Sequence, residues 1–378
     1  MKVLIAVTHL LGTGHLSRAF TLARAFTAVG HQVQVASGGF PAPQLNSDEI
    51  DLIQLPPLRS DGVDFTKLLA ENGTLADDTY LASRQDALCS ALQNLQPDVL
   101  ITELYPFGRR SLRKEFLALL EAAHGLPKRP VILSSIRDIL APPSKPEKAD
   151  KADRVIGQYY DAVLVHSDPA ATRLEASWPV SDMLGAKLRY TGYVAPPAAG
   201  PHPQQAGRGE VLVSAGGGSV GTPLYETALE AAKLMPGTPW RLLVGGTDAA
   251  DRIKAFSETG SPALLEPARK DFRQMLSHAA VSVSMCGYNT ALDLLQAGSP
   301  AVLVPFDAGN ETEQGLRAAS LAPLDGFEIV KTADLSPAAL CAAVNSALRA
   351  PRRVAGGFRF DGAARSVEIA AELAGERG

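Results

Sequence analysis

The sequence predicts an α/β protein of two doubly wound domains in tandem. Short apolar runs alternate with helical patterns along the chain, the rhythm of a parallel sheet with crossover helices. A strand followed by a glycine loop occurs twice, once near the start and again after Gly209. Between them, the stretch from Gly192 to Pro203 holds Pro196, Pro197, Pro201 and Pro203 with no periodicity, as an interdomain linker would. With 378 residues the chain is long enough for two ordinary cores. The expected layout is a first Rossmann-like domain at 1–194, a linker at 195–208 and a second Rossmann-like domain at 209–360. A terminal helix at about 361–378, patterned by Val367, Ile369, Ala370 and Leu373, is expected to pack back on the first domain.

In the first domain the strand signals are Val3–Val7, Gln32–Ala36, Val99–Thr102, Val131–Ser134 and Ala162–Val165. Apolar residues at helical spacing from Ala19 to Phe26 place a helix directly after the first strand. In the second domain strands are expected at Val211–Ser214, Arg241–Val244, Val281–Val283 and Ala301–Val304. A helix should begin near Pro223, since proline suits a first helical turn. In open sheets of this kind ligands bind beyond the carboxyl ends of the strands, so the two domains are expected to face each other across a cleft.

Composition removes several classes of function. A hydrophobic fraction of 46%, a charged fraction of 20% and a net charge of −4 describe an ordinary globular protein with no electrostatic case for nucleic acid. Cys89, Cys286 and Cys341 are far apart and lack CxxC pairing, so neither a disulfide framework nor a structural zinc site is expected. The first apolar run stops at Thr8 and His9, and no segment reaches the roughly 20 apolar residues of a membrane span. A cytoplasmic protein is expected, with peripheral contact at the inner face of a membrane left open.

The first glycine loop, Gly12-Thr13-Gly14-His15-Leu16-Ser17-Arg18, sets an imidazole at a helix N-terminus. There the dipole favours anions and a neutral ring, as a base near neutral pH requires. In the second domain Gly216-Gly217-Gly218-Ser219-Val220-Gly221 lets backbone N–H groups approach phosphate oxygens. No Gly-Lys-Ser/Thr follows and GxGxxG spacing is lacking, which argues against ATP hydrolysis and hydride transfer. Farther on, Gly287 is expected to open a helix that carries Asn289, Thr290 and Asp293, and a carboxylate there can accept from both hydroxyls of a ribose. The polar loop after Val304-Pro305-Phe306 leads to Glu313 and Gln314, groups suited to sugar hydroxyls.

In this order the motifs resemble inverting GT-B glycosyltransferases of the MurG type, within them a bacterial group of predicted glycosyltransferases. The likeness rests on Gly12 to His15, on Gly217 to Gly221, on Asp293 before Ala297-Gly298-Ser299-Pro300, and on Val304-Pro305-Phe306 with Gln314. Asp293 stands where that pattern has glutamate, Glu313 replaces the first of two glutamines, and the loop before Gln314 is one residue longer. The resemblance implies a first domain that binds the acceptor and a second that binds a nucleotide-diphosphate sugar, a UDP-sugar by preference. Donor contacts are expected from Gly14, Gly217, Gly218, Ser219, Val220, Phe272, Gly287, Asn289, Thr290, Asp293, Glu313 and Gln314, with Arg269 to Phe272 as the wall facing the base.

His15 would then take the proton of an acceptor hydroxyl while loop N–H groups and helix dipoles stabilise the departing diphosphate, with no metal and no cofactor. Glu103, closing Pro97-Asp98-Val99-Leu100-Ile101-Thr102, is expected to orient His15. Asp77-Asp78 reads as a turn or cap rather than a metal motif. Arg109, Arg110, Arg113 and Lys114 read as a solvated face, with an anionic acceptor as the other use. The acceptor is left as a lipid, a glycan or a small molecule, and the assembly as monomer or homodimer. Three alternatives stay open: a nucleotide-sugar hydrolase, since the first loop also resembles PseG-type enzymes, an epimerase of the same fold, and a non-catalytic nucleotide-sugar sensor.

Overall fold

The computed structural model describes residues 1–10, 13–43, 45–60, 67–216, 220–246, 248–307, 311–354 and 357–376. The chain forms two units, one of Met1–Pro169, Trp178–Ala195 and Asp361–Gly378, the other of Ala170–Ser177 and Pro196–Phe360.

The first unit runs β1 (Lys2–Val7), α1 (Gly14–Ala28), β2 (Gln32–Gly39), β3 (Asp51–Ser60), β4 (Leu68–Leu69), α2 (Asp78–Leu95) and β5 (Val99–Glu103). It continues with α3 (Arg113–His124), β6 (Val131–Arg137), α4 (Pro146–Tyr159), β7 (Ala162–His166), α5 (Asp182–Lys187) and β8 (Leu188–Tyr190). Its sheet has the order β4-β3-β2-β1-β5-β6-β7-β8, parallel except for the β3–β4 pair. Helices on both faces bury β5, β6 and β7, so these strands read as apolar runs without alternation. The chain first winds outward from β1 and then from β5, which puts the topological switch point between those two strands.

β3 lies outside the expected strands because Pro56 and Pro57 remove two backbone donors. Gln54 compensates: its Nε2 donates to the carbonyls of Ser37, Gly39 and Leu55 where the register with β2 shifts. Arg84 of α2, fully buried and paired to Glu115, donates to the carbonyls of Gly38 and Pro56. Asp77 is a cap, its carboxylate accepting from the Tyr80 N–H at 2.7 Å.

The second unit runs β9 (Val211–Ser214), α6 (Thr222–Leu234), β10 (Trp240–Val244), α7 (Ala249–Ser257), β11 (Leu264–Pro267), α8 (Phe272–Met275) and β12 (Val281–Ser284). It ends with α9 (Tyr288–Ala297), β13 (Ala301–Leu303), α10 (Glu313–Leu321), β14 (Phe327–Ile329) and α11 (Pro337–Arg349). The order β11-β10-β9-β12-β13-β14 is parallel throughout and repeats the same logic, with its switch point between β9 and β12.

Two boundaries differ from the sequence reading. The proline-rich stretch groups with the second unit instead of forming a free tether, because prolines lose donors but keep carbonyls. Gln296 Nε2 donates to Pro196 O and Arg273 Nη2 to Pro197 O, each at 2.9 Å. His202 is buried; its Nδ1 accepts from the N–H groups of Gln204 and Ala206, and its Nε2 lies 3.0 Å from Asp271 Oδ2. Residues 170–177, inside the expected first domain, also group with the second unit.

The last helix, α12 (Gly362–Gly375), packs on α1, and Val367, Ile369 and Ala370 share a core with Leu16, Ala19, Phe20 and Ala23. It is anchored where Gly362 N–H donates to Tyr193 O at 3.1 Å and Val194 pairs with Asp361. A Cβ on Gly362 would sit 2.4 Å from the Gly192 carbonyl oxygen, a backbone atom that cannot swing away. Gly362→Ala is therefore expected to destabilise the first unit by about 1–3 kcal/mol in urea unfolding. An unchanged midpoint would show that α12 shifts at no cost.

Candidate active site

At the first switch point β1 delivers a loop that opens α1, and β5 ends on Glu103, so His15 and Glu103 approach from the two strands that flank the switch. His15 Nδ1 lies 2.9 Å from Glu103 Oε1, and the carboxylate is buried. Arg18, one helical turn after His15, brings its guanidinium against the same carboxylate, with Nε 3.4 Å from Oε2 and Nη2 on Oε1. Burial pushes the Glu103 carboxyl up, but the Arg18 charge and the hydrogen bonds from His15 and Arg18 outweigh it and hold Glu103 well below the usual carboxylate range.

His15 behaves in the opposite way to an ordinary ion pair. Burial pulls its pKa down to about 4 against the opposing pull of Glu103, and the charges of Arg18 and Arg109 push the same way as burial. The ring is neutral at pH 7, and its side chain keeps 14% exposure. Nδ1–H donated to ionised Glu103 leaves the lone pair on Nε2, which meets no partner among the described residues. A neutral imidazole with a carboxylate behind it and an open Nε2 has the parts of a general base.

The carboxylate has further partners that sequence reading missed. Ser135 Oγ donates to Glu103 Oε2 at 2.5 Å and lies 2.9 Å from His166 Nε2. His166 Nδ1 lies 2.9 Å from Thr191 Oγ1. These residues stand at or beside the carboxyl ends of β6, β7 and β8, and strand register alone gives their side chains no visible pattern. Arg18 carried a signal, since a basic residue three positions after His15 shares its helix face. Of the basic run, Arg109 is half-buried and donates from Nε to Thr8 O at 2.5 Å, whereas Arg110, Arg113 and Lys114 are exposed.

In the second unit the switch point likewise gathers the loops after β9 and β12. Gly217, Gly218 and Ser219 lie outside the described residues. On either side of them, Ala215 N–H donates to the Tyr225 hydroxyl at 3.0 Å, and Gly221 has φ +91°, where a Cβ would meet Ala215 Cβ at 2.3 Å. Val220 is exposed. Gly287 caps α9, which presents exposed Asn289, half-buried Thr290 and, in its second turn, Asp293.

Asp293 is already engaged. Arg273 Nε donates to its Oδ1 at 2.7 Å, and Arg273 Nη2 donates to Gln296 Oε1 at 2.8 Å. Burial raises the Asp293 carboxyl while Arg273 opposes the rise. Gln314 Oε1 accepts from Phe306 N–H at 3.2 Å, which leaves its amide N–H groups as donors. Glu313 opens α10, and Phe272 opens the short α8. Arg317, buried in α10, donates to the carbonyl of Cys286 at 3.1 Å and so ties that helix to the loop before Gly287. Arg273 and Arg317 were not singled out from sequence. Among the described residues no group of His, Cys, Asp and Glu is arranged to hold a metal ion, and no helix is long and apolar enough to cross a membrane.

Residues 212–356 match the glycosyltransferase family 28 C-terminal domain. Over 144 residues the chain is 34% identical to the UDP-N-acetylglucosamine–N-acetylmuramyl-(pentapeptide) pyrophosphoryl-undecaprenol N-acetylglucosamine transferase of Brucella canis, a match spanning 36% of this chain and 38% of that protein. The chain also superposes on Acinetobacter baumannii MurG with a TM-score of 0.63 at 16% identity, covering 99% of this chain and 98% of the other. The chain has the fold of MurG, the GT-B fold. The glycosyltransferase VinC, solved in complex with dTDP, shares the fold at a TM-score of 0.60 and 15% identity, over 100% of this chain and 98% of VinC. The chain thus spans well under half the length of the curated relatives it matches, and the matched family domain lies in the second unit.

The lowered histidines set an acid limit on stability. His15 and His166, held down to about 4 and about 3, stay neutral in the folded chain while the unfolded chain takes up their protons as pH falls through 6.5. Stability is therefore complete above pH 6.5 and lost progressively below it. The thermal midpoint is expected to fall from pH 6.5 to 4.5, and His166→Gln to flatten that slope. A midpoint independent of pH across this window would show both rings charging freely in the folded state.

Proposed function

We propose that this chain is a glycosyltransferase that moves a sugar from a nucleotide-diphosphate sugar, by preference a UDP-sugar, to a hydroxyl of a lipid, glycan or small-molecule acceptor. The carrying observation is the His15–Glu103 pair at the first switch point, with the imidazole neutral and Nε2 open. His15 Nε2 takes the acceptor proton as the oxygen attacks the anomeric carbon. The C–O bond to the diphosphate breaks in the same displacement, which inverts the configuration. Glu103 stabilises the imidazolium that results.

The second unit holds the donor in this reading. Gly217, Gly218 and Ser219 are assigned to the diphosphate, and the N-termini of α6 and α9 offer it backbone donors, so the departing charge is met without a metal ion. Asp293 accepts from ribose, and the Gln314 amide donates to the sugar. The match to the family 28 C-terminal domain supports this assignment, and the Brucella relative's name supports a UDP-sugar donor and a membrane-borne acceptor reached by peripheral contact.

His15→Ala is expected to lower turnover by about 10²-fold or more with the fold intact, and unchanged turnover would remove His15 from the mechanism. UDP, dTDP and GDP screened by thermal shift should single out UDP, a ligand at 100 times its Kd adding about 2.7 kcal/mol. Stabilisation by none of the three would remove the donor site. Product analysis then separates transfer from hydrolysis, because free sugar released at full rate without acceptor is the hydrolase outcome. Binding without any turnover is that of a sensor.

A further inference from the structure

The Nδ1 atom of His15 faces two competing partners. Glu103 Oε1 lies at 2.9 Å and can only accept, whereas Arg18 Nη2 lies at 3.1 Å and can only donate. With the proton on Nδ1 the ring donates to Glu103 and Nε2 is a base. With the proton on Nε2 the ring accepts from Arg18 and that nitrogen has no lone pair to offer. The orientation of the Glu103 carboxylate therefore decides which form of His15 exists.

That carboxylate is anchored by its far oxygen. Glu103 is ionised and cannot donate, so the single Ser135 hydroxyl proton goes to Oε2, and the Ser135 oxygen must accept from His166 Nε2–H at 2.9 Å. His166 is neutral, burial and the Arg18 charge pulling it down to about 3 against Glu103, so with Nε2–H given to Ser135 its Nδ1 carries the lone pair; it lies 2.9 Å from the Thr191 hydroxyl, for which the carbonyls of Gly192 at 2.7 Å and Val165 at 3.3 Å are the competing acceptors. From His166 onward one arrangement of protons satisfies the row: His166 to Ser135, Ser135 to Glu103, and His15 to Glu103 from the other side. Among the described residues the charged groups facing His15 are Glu103, Arg18 and Arg109, and those facing His166 are Arg18 and Glu103.

We infer that Ser135 and His166 are positioning residues that hold Glu103 turned toward His15 and thereby fix which ring nitrogen of His15 carries its proton. Arg18 already lies side-on to the carboxylate, Nη2 on Oε1 and Nε at 3.4 Å from Oε2; without the bond from Ser135 the carboxylate is free to turn further onto this fork, closing the long Nε contact and drawing Oε1 away from His15. Nδ1 of His15 then falls to Arg18, its proton moves to Nε2, and the base is lost although every atom of the His15–Glu103 pair is still present. His166 touches no reacting atom, and its influence passes through Ser135 and Glu103.

The test is the tautomer itself. Long-range proton–nitrogen spectra of the full chain with 15N-labelled histidine, at pH 7.5, are expected to show His15 protonated on Nδ1 and His166 on Nε2. Ser135→Ala and His166→Leu should shift His15 toward the Nε2–H form, and His166→Gln, whose amide can donate to Ser135, should restore Nδ1–H. The effect on turnover rests on the proposed transfer reaction: in UDP release from UDP-N-acetylglucosamine, kcat should fall about tenfold or more in Ser135→Ala and His166→Leu with KM unchanged. A wild-type His166 protonated on Nδ1, or a His15 that keeps its Nδ1 proton in both variants, overturns the inference. If the wild-type chain releases no UDP, the transfer reading fails, while the spectra still decide the positioning role. Should the leucine variant not fold, the wild-type spectra and Ser135→Ala carry the decision.

Discussion

The buried carboxylate of Glu103 organises the first unit around its switch point. Glu103 ends an interior strand where water does not reach it, and an isolated carboxylate there would take up a proton. Arg18 and His15 from α1 and Ser135 from β6 keep it ionised between them. Each of those partners is fixed in turn, so satisfying one charge locks the first helix, the fifth strand and the sixth into one geometry. A buried pair of this kind is weak evidence of net stability. Its value lies in register, because the same contacts that neutralise the carboxylate set the pitch and rotation of α1 against the sheet.

The second unit solves a related problem by different means. Its switch-point loops are small-residue segments with few side chains of their own, so neighbouring elements hold them. Tyr225 from α6 binds the backbone at Ala215, and its hydroxyl donates onward to Leu243 O at 2.7 Å. Arg317 from α10 holds the carbonyl before Gly287. Asp293 is steadied by Arg273, leaving Oδ2 as the oxygen with no partner among the described residues. The ties lie at the described flanks, Ala215 and Cys286, behind the loops themselves.

Much of this was legible in the sequence. The interior strands announce themselves because burial on both faces demands continuous apolar runs, as in Val99–Thr102 and Val211–Ser214. β11 and β14 were missed because they are short edge strands with partly exposed side chains, and β3 because its prolines contradict a strand locally. His15 and Glu103 were legible as loop and strand-end residues, and the structure brings them together. Ser135, His166 and Thr191 were not: a serine inside one apolar strand and a histidine at the end of the next look like ordinary core residues until the neighbouring strands are aligned. The proline-rich stretch misled for a similar reason, since its composition shows the absence of helix and strand but not the carbonyl acceptors that bind it down.

The return of α12 to the first unit has a consequence for the order in which the chain can be made. Domains generally fold as they leave the ribosome, earliest residues first. Here Leu16, Ala19 and Phe20 share their core with Val367 and Ile369, residues translated after the whole of the second unit. Nascent α1 therefore waits with part of its apolar face uncovered while some 165 intervening residues, Pro196–Phe360, are synthesised. The unit begun first is the one completed last, and a separately expressed first unit would need α12 joined back to it after Ala195.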